Sequence, residues 1–310
     1  MRLLAPFFFN LGGLIDTFLV KIFGKEEDSG DLNDGIGSLM IIGSVVAALI
    51  VLVLLPLVFG QAFSISWKAF GFLLLGGIAY GIAPFSYFKA LQHEQIENIT
   101  PVFQIIPLIT YILGVVFLKE IVSPWILLSI VGTICVTALF YVNFSNFRFN
   151  KRAFFLCALS ATLYAISYVF FKVGGVSEGN FLVALFWEHV GVVLVGVYFF
   201  LSKRTRQSTI KFFKESGRKF SVLNLFNELI FIAGVSINNY LSFSHYVVYV
   251  GIISNSIQPI MAFPMKYLAH LIKPERYDWK YTKKQLFTKV ILLALLFAGV
   301  GYISLQILSQ

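Results

Sequence analysis

Ile36–Phe59 reads IGSLMIIGSVVAALIVLVLLPLVF, a run without one charged side chain. A helix needs about 20 residues to cross the hydrocarbon layer of a bilayer, so this run reads as a membrane span. Nine further stretches read the same way: Leu3–Phe23, Ala69–Leu91, Ile99–Leu118, Val122–Phe144, Ala153–Val173, Phe181–Leu201, Phe220–Phe243, Tyr246–Ile272 and Phe287–Leu308. Hydrophobic residues make up 58% of the 310-residue chain and charged ones 13%, against roughly 25% charged in soluble domains. Lipid offers no partner to an open sheet edge, and the alternating pattern of a membrane barrel is missing. The expected fold is therefore an all-α membrane protein. Arg2 followed by an apolar run imitates a signal peptide, but Gly12-Gly13 and Asp16 interrupt it and no small-residue cleavage site follows; it is read as the first span.

Lipid-facing helices gain nothing hydrophobic by pairing and rely on close contact through small residues. Gly77 and Gly81, with Gly76 beside them, give the third span such a face. Cys135 and Cys157 both fall inside spans, without metal-ligand spacing, and read as packing residues.

The net charge of +9 is distributed by topology. Eighteen lysines and arginines fall in the loops joining spans 1–2, 3–4, 5–6, 7–8 and 9–10, and four (Arg2, Lys68, Lys119, Lys172) fall on the opposite side. Basic loops stay in the cytoplasm, which puts both termini outside, and the same loops meet anionic lipid headgroups. The acidic stretch Glu26, Glu27, Asp28, Asp31 and Asp34 reads as a solvated loop on the basic side. Nucleic acid is not expected as a partner, because no soluble module carries aromatic platforms.

The spans form two related sets of five. Superimposing Lys21 on Lys172 carries Asp16 onto Ser167 and Gly13 onto Tyr164; shifting by one residue carries Pro107 onto Pro259 and Gln104 onto Ser256. The fifth and tenth spans share Ile126-Leu127-Leu128 and Ile291-Leu292-Leu293. Five is odd, so the second copy inserts upside down. The expectation is ten transmembrane helices as a 5+5 inverted repeat, residues 1–145 and 146–310, with the substrate site near the midplane.

The segment from Pro107 through Gly114 to Lys119-Glu120, with Gly132 in the following span, resembles the drug/metabolite transporter superfamily, specifically its EamA-like members. There a proline in the fourth helix precedes a small-and-aliphatic run ending in Glu at the membrane edge. Lys21 and Lys172 match the basic residue that closes the first helix of each repeat. The resemblance covers essentially the whole chain and implies ten helices, an inverted repeat, and transport of small metabolites or drugs. The second copy departs from it: Ile272 stands where Glu is expected, and Glu275 comes three residues late. Family members usually keep both termini in the cytoplasm, opposite to the charge count, so orientation stays open.

Of fifteen carboxylates, three lie inside spans: Asp16, Glu188 and Glu228, each about three residues, or roughly 5 Å, from its span's centre. They are expected at nearly one depth. Ionisable groups there are costly and are read as functional. No lysine or arginine shares that layer; Lys21 and Lys172 are expected to snorkel outward from helix ends. An acid-only layer favours a cationic solute, or protons carried on the acids. Trp187-Glu188-His189 reads as a proton relay or part of the substrate site, with simple packing of His189 as the alternative. Asn224, Glu228, Asn239 and Ser242 return to one helix face, read as a cavity wall or as an interhelical hydrogen-bond seam. Tyr164 and Tyr168 share a face of span six with Ser167, and Gln104, Tyr111 and Gln258 flank the prolines of spans four and nine. Tyrosines beside an acid can enclose an ammonium group. Trp67, Trp125 and Trp279 read as interface anchors.

No phosphate loop, H-E-x-x-H or G-x-S-x-G is present, so neither catalysis, cofactor nor metal is expected. The expected function is secondary transport of a small, cationic or zwitterionic organic solute by alternating access, coupled to protons or ions, in the plasma membrane. The alternatives are a carrier of an anionic metabolite such as a nucleotide sugar, which needs a cation in the cavity, and a membrane enzyme acting on lipid-linked substrates.

Overall fold

The computed structural model describes residues 4–23, 32–94, 100–141, 150–215, 217–272 and 282–308. Arg2, the acidic stretch 26–31, Arg148, Glu275 and Trp279 lie outside the described residues. Eleven α-helices are formed within them: α1 (Leu4–Phe23), α2 (Leu32–Ala62), α3 (Trp67–His93), α4 (Ile106–Leu118), α5 (Pro124–Tyr141), α6 (Lys151–Glu178), α7 (Phe181–Leu201), α8 (Lys203–Glu215), α9 (Gly217–Ser244), α10 (Val247–Ile272) and α11 (Lys283–Leu308). Seven are long and apolar enough to cross a membrane, and shorter apolar helical segments occupy Leu4–Asp16, Val102–Leu118 and Pro124–Thr137.

Three differences from expectation have local causes. The fourth span opens with a 3-10 turn, Thr100–Ile105, before α4. Pro107 lacks an amide hydrogen and its ring crowds the carbonyl one turn back, so the α-helix starts beside it instead of running through it. α6 continues to Glu178 and is capped by Gly179 at φ 67°, so Lys172 is not at a helix end. The basic segment after the seventh span folds as an additional helix, α8. One polar face of α8 is buried on α2: Thr209 Oγ1 donates to Ser38 Oγ at 3.0 Å, and Thr205 stands against Gly37.

Side-chain caps mark several helix starts. Ser66 accepts from the Ala69 amide at 3.2 Å, Asn150 from Arg152 at 3.0 Å, and Asn180 from Leu182 at 3.0 Å. Each satisfies donors that the first helical turn leaves free. The connections meet in two groups, as alternating threading requires. Ser66 Oγ donates to Glu178 at 2.8 Å, Asn180 is hydrogen-bonded to Gln61, and Lys172 Nζ donates to the His245 carbonyl at 2.7 Å. Asn150, beyond the opposite helix ends, donates to the His93 carbonyl at 3.4 Å.

The small-residue face of α3 is its packing face. Gly76 lies over Ser167 and Phe170 of α6, Gly77 over the backbone of Glu188 on α7, and Gly81 over Val192 and Val195. α7 answers with Gly191 against Leu74. α2 packs on α7, α1 on α9, α4 on α6 and α10, and α5 on α11. The α1–α9 and α3–α6 seams correspond. The superposition that carries Lys21 onto Lys172 turns the Asp16–Asn227 contact into Ser167–Gly76, and Phe9–Gly234 into Ser160–Ala83; all four contacts are made. Trp67 and Trp125 are exposed at helix starts. Cys135 is exposed, Cys157 buried, and both are free thiols.

Candidate solute site

α9 carries the polar interior. Asn224, Asn227, Asn238, Asn239 and Ser242 are all buried along it, so three members of the stripe are buried and the fourth, Glu228, is half-buried. Two of these amides hold acids from other helices. Asn227 Nδ2 donates to Asp16 Oδ1 of α1 at 2.8 Å. Asn239 Nδ2 donates to both carboxylate oxygens of Glu188 on α7, at 3.1 and 2.9 Å, and Ser167 Oγ of α6 adds a bond at 3.3 Å.

These pairings correct the expectation of one acid layer. Asn227 and Asn239 are twelve positions apart, about 18 Å along a helix rising 1.5 Å per residue. Glu228, next to Asn227, belongs with Asp16; Glu188 forms a second station towards the other membrane face. The cause is direction. α1 and α7 run the same way and α9 the opposite way, so Asp16, past its span's centre, and Glu228, before its own, share one leaflet, whereas Glu188, before its centre, falls in the other.

The stations differ in access. Glu188 is 1% exposed and enclosed by neutral donors. Glu228 is half-buried; its carboxylate lies over bare backbone of α2, where a Cβ on Gly43 would stand 3.0 Å from Oε2. Asp16 and Glu228 are within electrostatic reach of each other. Tyrosines fill the span between stations. Tyr80 is within electrostatic reach of Glu228 and Glu188, its ring centroid 5.9 Å from that of Tyr164. Tyr168 reaches Asn238, whose Oδ1 accepts from Ser254 of α10 at 2.6 Å.

The other sequence candidates fall in different places. His189 is buried with Nδ1 on the Leu185 carbonyl of its own helix at 2.8 Å, and Nε2 meets no protein partner; the packing alternative describes it better than a relay with Glu188. Trp187 points to the corner between α2 and α3, where Nε1 donates to the Ala62 carbonyl at 2.9 Å and its ring meets Phe63 and Phe70 edge-on. Tyr111 packs into the apolar cluster of Val122, Ile126, Val248 and Ile252, apart from the acids. Gln104 is buried with Nε2 unpartnered. The Gln258 carbonyl accepts from Asn10 of α1 at 3.1 Å.

Sequence reasoning passes over Asn227 and Asn238, which lie beside the stripe it traces. It also passes over the ion pair of Lys172 with Glu120. Instead of snorkelling outward, Lys172 turns into the protein, where it and Glu120 are 9% and 6% exposed. The signal was present: two opposite charges at the same membrane edge.

An all-helical, multi-pass membrane protein with polar groups buried on inward helix faces defines the class. Residues 34–142 match the family model of the EamA-like transporter family, in agreement with the resemblance to the drug/metabolite transporter superfamily. A crystal structure described only as that of a protein is similar in fold, with a TM-score of 0.55 and 13% identity over 96% of each chain. No curated protein matches the chain.

Proposed function

We propose that this protein is a secondary carrier of a small cationic or zwitterionic organic solute, built as two inverted five-helix repeats (residues 1–145 and 146–310) and working in the plasma membrane. One observation carries the reading. The hydrogen bonds described for Asp16 and Glu188 come from neutral amides and a hydroxyl, while the buried Lys172 is taken up by Glu120. Buried acids held this way need a positive charge from elsewhere, and a solute ammonium or a proton supplies it. Half-buried Glu228, with Asp16 beside it and Tyr80 and Tyr164 nearby, is the solute station. Tyrosine faces stabilise an ammonium. Glu188 is the second station, neutralised by a proton. Alternating access then needs the two repeats to rock about this polar column. The corresponding α1–α9 and α3–α6 seams support the repeat. An anionic metabolite is less well served, because Lys172 is committed to Glu120 at a membrane edge.

The test is uptake in proteoliposomes carrying a trapped pH dye, screened against primary amines, quaternary amines and neutral amino acids. A solute that moves protons only with the native protein, and not with Glu228→Gln, supports the reading. Normal transport by Glu228→Gln together with Asp16→Asn rejects the acid station.

A further inference from the structure

Two corners and the body of α6 meet at a single carboxylate on one side of the membrane. Glu120 sits between α4 and α5. One of its oxygens is paired with Lys172 of α6, and Oε2 accepts from the Val247 amide, the first residue of α10, at 2.9 Å. Lys172 also donates to the His245 carbonyl in the corner before α10 and lies 6.0 Å from the Tyr246 ring centroid. The backbone turns at Lys119, with φ 58°, a left-handed conformation that is costly for a lysine; the next side chain is Glu120. The carboxylate is thus held by an ammonium and by the positive end of a helix at once.

We propose that the Glu120–Lys172 pair is the gate of this mouth, closed in the present conformer and broken whenever the central column opens to this side. Its chemistry suits a gate better than a staple. Two charges sealed together lose their hydration, and their attraction roughly offsets that loss. When the mouth opens, water enters and rehydrates both, so the open state is accessible; an apolar plug would regain nothing. The gate is also one-sided. The superposition that carries Pro107 onto Pro259 leaves Ile272 where Glu120 would be, so this carboxylate is not repeated at the matching position of the other half. Two related halves would otherwise close both mouths alike; the ion pair biases the carrier towards closure here. The alternation, but not the pair itself, rests on the carrier reading.

The test reads access rather than transport. Cys135→Ser and Cys157→Ala remove the native thiols, and Thr110→Cys places one thiol between α4 and α10, where Thr110 is buried near Gly251. The protein is held in lipid nanodiscs, and the probe is a charged, membrane-impermeant methanethiosulfonate. With the pair intact, or with Lys172→Arg, labelling is slow. Glu120→Gln combined with Lys172→Met removes both charges together, so it leaves no orphan charge to unfold the protein, and it speeds labelling by about tenfold or more. Fast labelling with the pair intact overturns the gate, as does an unchanged slow rate in the folded double variant. A protein that gates but moves no solute keeps this inference and loses the carrier; a carrier whose access ignores the pair does the reverse.

Discussion

Gly77 of α3 lies directly against the backbone carbonyl of Glu188 on α7, so close that no Cβ fits between them. The helix that presents the second acid station is therefore seated by a residue that has no side chain. Gly77→Ala must push α3 and α7 apart. Overpacking of this kind costs about 1–3 kcal/mol, and the expected result is a Tm several degrees lower in detergent together with lost transport. An unchanged Tm would mean that the two helices sit further apart than described.

Asn239 supplies two of the hydrogen bonds to Glu188. Asn239→Leu keeps the volume and removes both donors. Leaving a buried acceptor short costs about 1–3 kcal/mol. The variant is expected to unfold earlier than the native protein, and Glu188→Gln in the same background is expected to recover part of the loss, because a neutral amide needs less support. Equal and additive losses in the double-mutant cycle would show that the pair does not interact.

Glycines of α2 separate a site effect from a helix effect. A Cβ on Gly43 meets the Glu228 carboxylate, whereas one on Gly60 meets nothing within 4 Å. Gly60→Ala is expected to stabilise, by up to about 1 kcal/mol from helix propensity. Gly43→Ala is expected to gain less stability and to weaken solute affinity. Identical binding curves for the two variants would remove Gly43 from the site.

α8 is joined to α2 by a hydroxyl pair. Thr209→Val deletes the bond to Ser38 at nearly constant shape and is expected to cost about 1 kcal/mol, read as faster amide exchange in residues 203–215. Exchange equal to that of the native protein would show α8 to be held by its chain connections alone.

The spans were legible because lipid imposes a length and an apolar composition on anything that crosses it. Among the described residues each expected span overlaps a helix, seven of them long and apolar enough to cross a membrane, and the Lys21–Lys172 superposition also describes how α1–α9 and α3–α6 meet. α8 was not legible, since a charged segment reads as loop until its threonine face finds α2. The break before α4 follows from Pro107, whose presence was plain but whose effect depends on where the helix starts. Of the three acids read inside spans, Asp16 and Glu188 are buried and Glu228 is half-buried. Their common depth was not correct, because distance from a span centre carries no sign until helix direction is included. Trp187 and Tyr111 were drawn to the site by neighbours in the chain, and helical geometry turns both elsewhere. The Lys172–Glu120 pair needed two distant segments in three dimensions.

The two corresponding seams are made of different material. Between α3 and α6, Gly76 meets Ser167 and Phe170, and Ser160 bonds the Ala83 carbonyl at 2.8 Å; between α1 and α9, Phe9 covers Gly234 and stands 6.1 Å, ring to ring, from Phe231. Backbones clamped through small residues and a hydrogen bond resist sliding, whereas aromatic rings over glycine can roll. The molecule would then pivot about a stiff α3–α6 hinge while α1 shears along α9, and spin labels on α1 and α9 should report larger distance changes during turnover than labels on α3 and α6.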